Sequence, residues 1–140
     1  MKVLTSVLVF IYFVPFCVAG EMMVGAFEIV CSCKQFQTGR IGEGGHKSRT
    51  ASAYLGLAKQ KDPAIFIKLF EAADSDAAKA YALQGLNEID KNLFEKYSEK
   101  WDDAAVIKCL LFGVNKDISV REMKKLIRSG EIGRVLRWPE

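Results

Sequence analysis

The stretch GRIGEGGHKS, Gly39 to Ser48, places four glycines, the only histidine of the chain and a Lys-Ser pair within ten residues. These are the residue types of a loop that cradles phosphate. Such a loop reads G-x-x-x-x-G-K-[ST], because the lysine must directly follow the last glycine to reach the outer oxygens. Gly39 and Gly44 keep the first spacing, but Gly45 and His46 intervene before Lys47, and no convincing buried strand precedes the segment. The order argues for a flexible connector, with Ser48 or Thr50 capping the helix that follows. His46 as a general base would need a nucleophile and an orienting group at the same spot, and the neighbouring sequence supplies neither.

Other candidate chemistry is equally thin. Asp74-x-Asp76 and Asp102-Asp103 could be mistaken for paired carboxylates, yet both fall where a new helical unit is expected to start, and capping accounts for them. Cys31, Cys33 and Cys109 are disulfide candidates in an oxidising compartment, with Cys109 joined to Cys31 or Cys33 and one thiol left over. A C-x-C and one distant histidine are too few for a metal. Neither a metal nor a cofactor is expected, and the chain reads as a protein that is not an enzyme.

The elements that must position these residues begin after the first stretch, MKVLTSVLVFIYFVPFCVAG. Lys2, the apolar run from Val3 to Phe16, and the small residues Cys17-Val18-Ala19 predict a signal peptide over 1–19. An uncleaved anchor is the alternative, which would leave this segment as the sole membrane contact. Removing Lys2 lowers the formal net charge of +3 by one. No global field therefore argues for nucleic acid. Acids outnumber lysines from Lys59 to Asp103, whereas Arg121 to Arg137 is mainly basic.

The middle of the chain repeats with a period of about 28 residues. Asp62, Phe66 and Lys68 match Asp90, Phe94 and Lys96. A more diverged third copy follows, in which Leu83, Gly85 and Asn87 recur as Leu111, Gly113 and Asn115, and Lys96 as Lys124. Each copy reads as two helices. Asp62-Pro63 starts one, with Ile65, Phe66, Leu69 and Phe70 on one face. Asp90 starts another with Leu93, Phe94, Tyr97 and Trp101. Ser119 and Glu122 form a capping box for the last, which Gly130 stops. The partner helices are richer in alanine, and DAAVIKCLLFG is read as the first helix of the third pair.

The run of Asp-Pro, apolar stripe, Asp-Ser-Asp and AAKAYALQGL resembles a short HEAT-type helical repeat over roughly Ser48 to Gly130. The resemblance implies an all-α fold, a short α-α superhelix of about three HEAT-like hairpins whose second helices line a protein-gripping surface. The expected layout is a capping helix over 21–37, a glycine-rich linker over 38–48, repeats over 49–130 and a tail over 131–140, within a single domain spanning 20–140.

In such a stack Lys68, Lys96 and Lys124 would align along the second helices, joined by Arg121 and Arg128, facing a protein partner with an acidic surface. Trp138 in the tail would seal the last repeat or anchor the partner. The functional expectation is an exported, non-catalytic protein-binding module of the cell envelope, secreted or periplasmic. An immunity or inhibitor protein acting on a toxin or hydrolase is its more specific form. A small enzyme or nucleotide binder built on Gly39 to Ser48 is the competing class.

Overall fold

Helix starts follow the capping residues. Ser48, Asp62, Ser75, Asp90 and Ser119 each accept a hydrogen bond from the first turn of the helix they precede, so that otherwise orphaned amides are satisfied. The computed structural model describes residues 24–38, 40–41, 46–111 and 113–137. The expected signal peptide and its alternative as an anchor, the centre of the glycine-rich stretch and Trp138 lie outside the described residues.

In chain order the elements are helix α1 over 24–31; short strands β1 (Phe36–Gln37), β2 (Arg40–Ile41) and β3 (His46–Lys47); helices α2 (Arg49–Ala58), α3 (Pro63–Ala72), α4 (Asp76–Ile89) and α5 (Lys91–Ser98); strands β4 (Val106–Leu111) and β5 (Val114–Ser119); and helices α6 (Val120–Arg128) and α7 (Glu131–Leu136). β1, β4 and β5 form one mixed sheet in that order, and β2 pairs with β3 in a separate hairpin. The first strand lies parallel to β4, Phe36 opposite Cys109, while β4 and β5 are antiparallel, Ile107 opposite Ile118.

This sheet overturns the all-α expectation: the chain combines helices with strands. The first two repeat copies are helical pairs, α2 with α3 and α4 with α5, but the third is a strand hairpin followed by α6. Two features of the structure mark the difference. VIKCLL alternates exposed Val106 and Lys108 with buried Ile107 and Cys109, a period of two that suits a strand with one face covered. Gly113 sits at φ +80°, a left-handed conformation that permits the two-residue reversal into β5 and that a side-chain-bearing residue adopts at a cost. The expected helix over 21–37 is likewise cut short. It ends near Cys31, and Phe36 and Gln37 cross into the sheet.

α4 is the hub. Ala77, Ala78 and every residue from Ala80 to Leu86 are buried, and the helix packs against α3, α5, α6, α7, β1 and β4. A helix covered on all sides needs small residues where neighbours come close. Gly85 is the clearest case, since a Cβ there would lie 2.4 Å from the Phe66 ring. Tyr54, Phe66, Tyr81 and Phe36 form a chain of ring contacts through the core, with centroids 4.4 to 5.9 Å apart. The Tyr81 hydroxyl donates to the Gln37 carbonyl at 2.8 Å and accepts from the Gln37 N–H at 2.9 Å, which fixes β1 against α4. Within the expected tail, α7 buries Ile132 and Leu136.

Candidate interaction surface

The basic residues singled out in the sequence have unlike surroundings. Lys68 on α3 and Lys96 on α5 are exposed. Lys124 is not: its side chain is 12% exposed, and its Nζ donates to the Trp101 carbonyl at 2.9 Å and to Asp103 Oδ1 at 2.6 Å. Arg128 donates to both carboxylate oxygens of Glu95 at 3.0 Å and lies 5.4 Å from the Phe94 ring. Arg121 approaches Asp103 at 3.8 Å with its side chain 71% exposed. The matched lysines are thus not equivalent, because Lys124 closes the junction between α6 and the chain leaving α5 whereas the other two face solvent.

The structure does bring Arg121, Lys124 and Arg128 to one place. With Lys125 they line an open cleft of about 600 Å³ between α5 and α6, with Glu95 and Asp103 on the opposite wall. Hydrogen bonding by Arg128 holds the Glu95 carboxyl below its ordinary pKa, and hydrogen bonding by Lys124 does the same for Asp103. Asp102 and Asp103 read in the sequence as helix caps, but no helix starts there in the fold: Asp102 accepts from the Ala104 N–H at 3.0 Å within the turn that leads into β4. Asp76 accepts from the Trp101 indole at 2.8 Å, bringing the end of α5 to the start of α4.

A second polar cluster has no counterpart in the sequence reading. Glu88 on α4 accepts from the Tyr54 hydroxyl at 3.1 Å, from Gln84 Nε2 at 2.8 Å and from both terminal nitrogens of Arg137. Burial works to raise the Glu88 pKa, but the hydrogen bonds from Arg137 and Gln84 and the arginine charge outweigh it, leaving the carboxyl below its usual range. Tyr54 moves the other way, upward, through burial and then the Glu88 charge. Gly133 admits this arrangement, since a Cβ there would sit 2.9 Å from Gln84 Nε2. Contacts separated by 34 and 49 positions leave no local pattern to read.

The remaining candidates carry less. Cys31, Cys33 and Cys109 are free thiols. Cys31 Sγ donates to the Ala72 carbonyl at 3.2 Å, burial pushes Cys33 up to about 11, and burial with nearby Asp117 pushes Cys109 up to about 12. These are protonated, poorly nucleophilic thiols at neutral pH. Lys47 lies on β3 and Ser48 caps α2, donating its hydroxyl to Gln37 Oε1 at 2.7 Å. Among the described residues no three His, Cys, Asp or Glu side chains converge as metal ligands, and no helix is long and apolar enough to cross a membrane.

Comparison with family models, with curated proteins and with solved structures returns no match. What the surface offers must therefore be read from its own charges, shape and backbone.

Proposed function

We propose that the protein is an exported, non-catalytic module that binds another protein, with the α5–α6 cleft as its contact surface. The observation that carries this reading is the state of the cleft's cations. Lys124 and Arg128 are held by internal partners, while Arg121 and Lys125 keep exposed charge along the same helix. A rigid frame with outward charge favours fast, oriented association with a protein that presents acidic groups toward α6. Small-ligand sites are mostly apolar and enclosed; this cleft is open and walled by charges of both signs. Export rests on the segment 1–19 alone.

The test is capture from an envelope extract on the immobilised full chain. Arg121→Glu combined with Lys125→Glu is expected to reduce capture at least tenfold, while Lys68→Glu on α3 leaves it intact. Capture that survives the α6 reversals would remove the cleft from the account.

A further inference from the structure

The mixed sheet has two edges, and the chain treats them differently. At β1 both outward groups of Gln37 are taken by the Tyr81 hydroxyl. At β5 the ladder itself shows which groups point away. Thr38 N–H donates to the Leu110 carbonyl, so the Leu110 backbone faces β1, and its partner Asn115 cannot bond to β4. Val120 N–H donates to the Ala105 carbonyl at 2.8 Å, in phase with this assignment. Alternation then directs the N–H and carbonyl of Asn115 and Asp117, and the N–H of Ser119, toward solvent. Val114, Asn115, Lys116, Asp117 and Ser119 are all exposed, and among the described residues no backbone hydrogen bond reaches this row.

An open edge of this length is a template for another strand. A second copy of the chain fits it badly. A two-fold axis through an antiparallel pair keeps the faces of both sheets aligned, so only residues on the same face can oppose one another. The centred registers then set Lys116 against Lys116 or Asp117 against Asp117, and like charges directly opposite are destabilising. A different strand escapes this restriction. Opposite Asp117, Lys116, Asn115 and Val114 it would carry, in its own chain direction, a basic, an acidic, a polar and an apolar residue.

We infer that the free edge of β5 accepts an extended, antiparallel segment of another protein with a basic-acidic-polar-apolar core. The inference rests on the binding reading only in taking a protein as partner; it uses a surface separate from the α5–α6 cleft. In the free full chain, the amides of Asn115 and Asp117 exchange with solvent faster than those of Lys116 and Ile118.

The probe is an end-blocked octapeptide with Arg-Glu-Thr-Val at its centre, titrated into the ¹⁵N-labelled full chain. It is expected to shift and protect the Asn115 and Asp117 amides. N-methylation of the central arginine and threonine, whose N–H groups face β5, abolishes the effect, whereas N-methylation of the glutamate and valine does not. Exchanging the arginine and glutamate weakens binding roughly fivefold, and the double variant Lys116→Glu, Asp117→Lys reverses that preference. Arg121→Glu with Lys125→Glu leaves peptide binding unchanged, so failure of the cleft and failure of the edge are read separately. Asn115 and Asp117 amides already slow in the free chain, whether covered by another part of it or by a second copy, would overturn the proposal. So would peptide binding indifferent to N-methylation.

Discussion

The second and third repeat copies share a spacing but not a structure. Asp76 to Ser98 folds as the helical pair α4–α5, while the corresponding stretch after Trp101 folds as the hairpin β4–β5 followed by α6. Matched letters at a fixed interval are therefore weaker than the local period of burial. AAKAYALQGL is rich in alanine and good helix formers and is buried at every position but Lys79. VIKCLL has β-branched residues at its start, alternates its exposure and is followed by a glycine held at positive φ. Lys96 and Lys124 occupy matched positions, yet one is exposed and the other is locked to Trp101 and Asp103.

The contrast can be broken hardest at the hub. Gly85→Ala drives a Cβ into the Phe66 ring and is expected to cost about 3 kcal/mol, the upper end for an overpacked core. Adding Phe66→Leu should recover part of the loss, a coupling that a thermodynamic cycle on denaturation midpoints would expose. Additive losses would mean that α3 and α4 do not meet at this point.

The alternation in β4 gives the next largest effect. Ile107→Ala is expected to cost about 3 kcal/mol and Val106→Ala no more than about 0.5 kcal/mol, measured by urea unfolding. Equal losses at these neighbouring positions would contradict a strand with one covered face.

The polar cluster on α4 sharpens the comparison from the helical side. Glu88→Ala leaves the Tyr54 hydroxyl, the Gln84 amide and Arg137 without their acceptor and should cost about 2 kcal/mol. Because the folded carboxyl titrates below its ordinary value of 4.5, its stabilisation is present above that pH and is lost as pH falls through the folded pKa. Glu88→Gln should flatten this acid limb in a stability-against-pH profile more than Glu95→Gln, whose carboxyl lies in a solvent-exposed pair. A small effect is expected at that pair: Arg128→Ala should cost about 0.5 kcal/mol at low salt and less at high salt.

Where the sequence spoke plainly, it did so through residues whose meaning is local. Asp62-Pro63, Asp90, Ser119 and Gly130 mark helix ends because capping and positive φ depend on a few adjacent atoms. Of the stripe Ile65, Phe66, Leu69 and Phe70, the last three are buried as their spacing requires and Ile65 is half-buried. The two-residue strand β1 has no periodicity of its own, and it exists because β4 and Tyr81 supply partners from far along the chain. Arg121, Lys124 and Arg128 were recognisable as basic, but whether a cation is free or paired depends on Asp103 and Glu95, which distant elements bring to it. In VIKCLL only Lys108 is polar, so the alternation of burial emerges only in the fold, and the repeat match to the preceding copy favoured a helix.

The central claim is that the third copy is a strand hairpin joined to a sheet. Proton contacts in solution test it most directly. Lys108–Asp117 and Leu110–Asn115 are pairs without mutual hydrogen bonds, so their α-protons approach closely and should give strong cross-strand cross-peaks. Helical contacts between residues three apart through Val106 to Leu111, with those cross-strand peaks missing, would contradict the account.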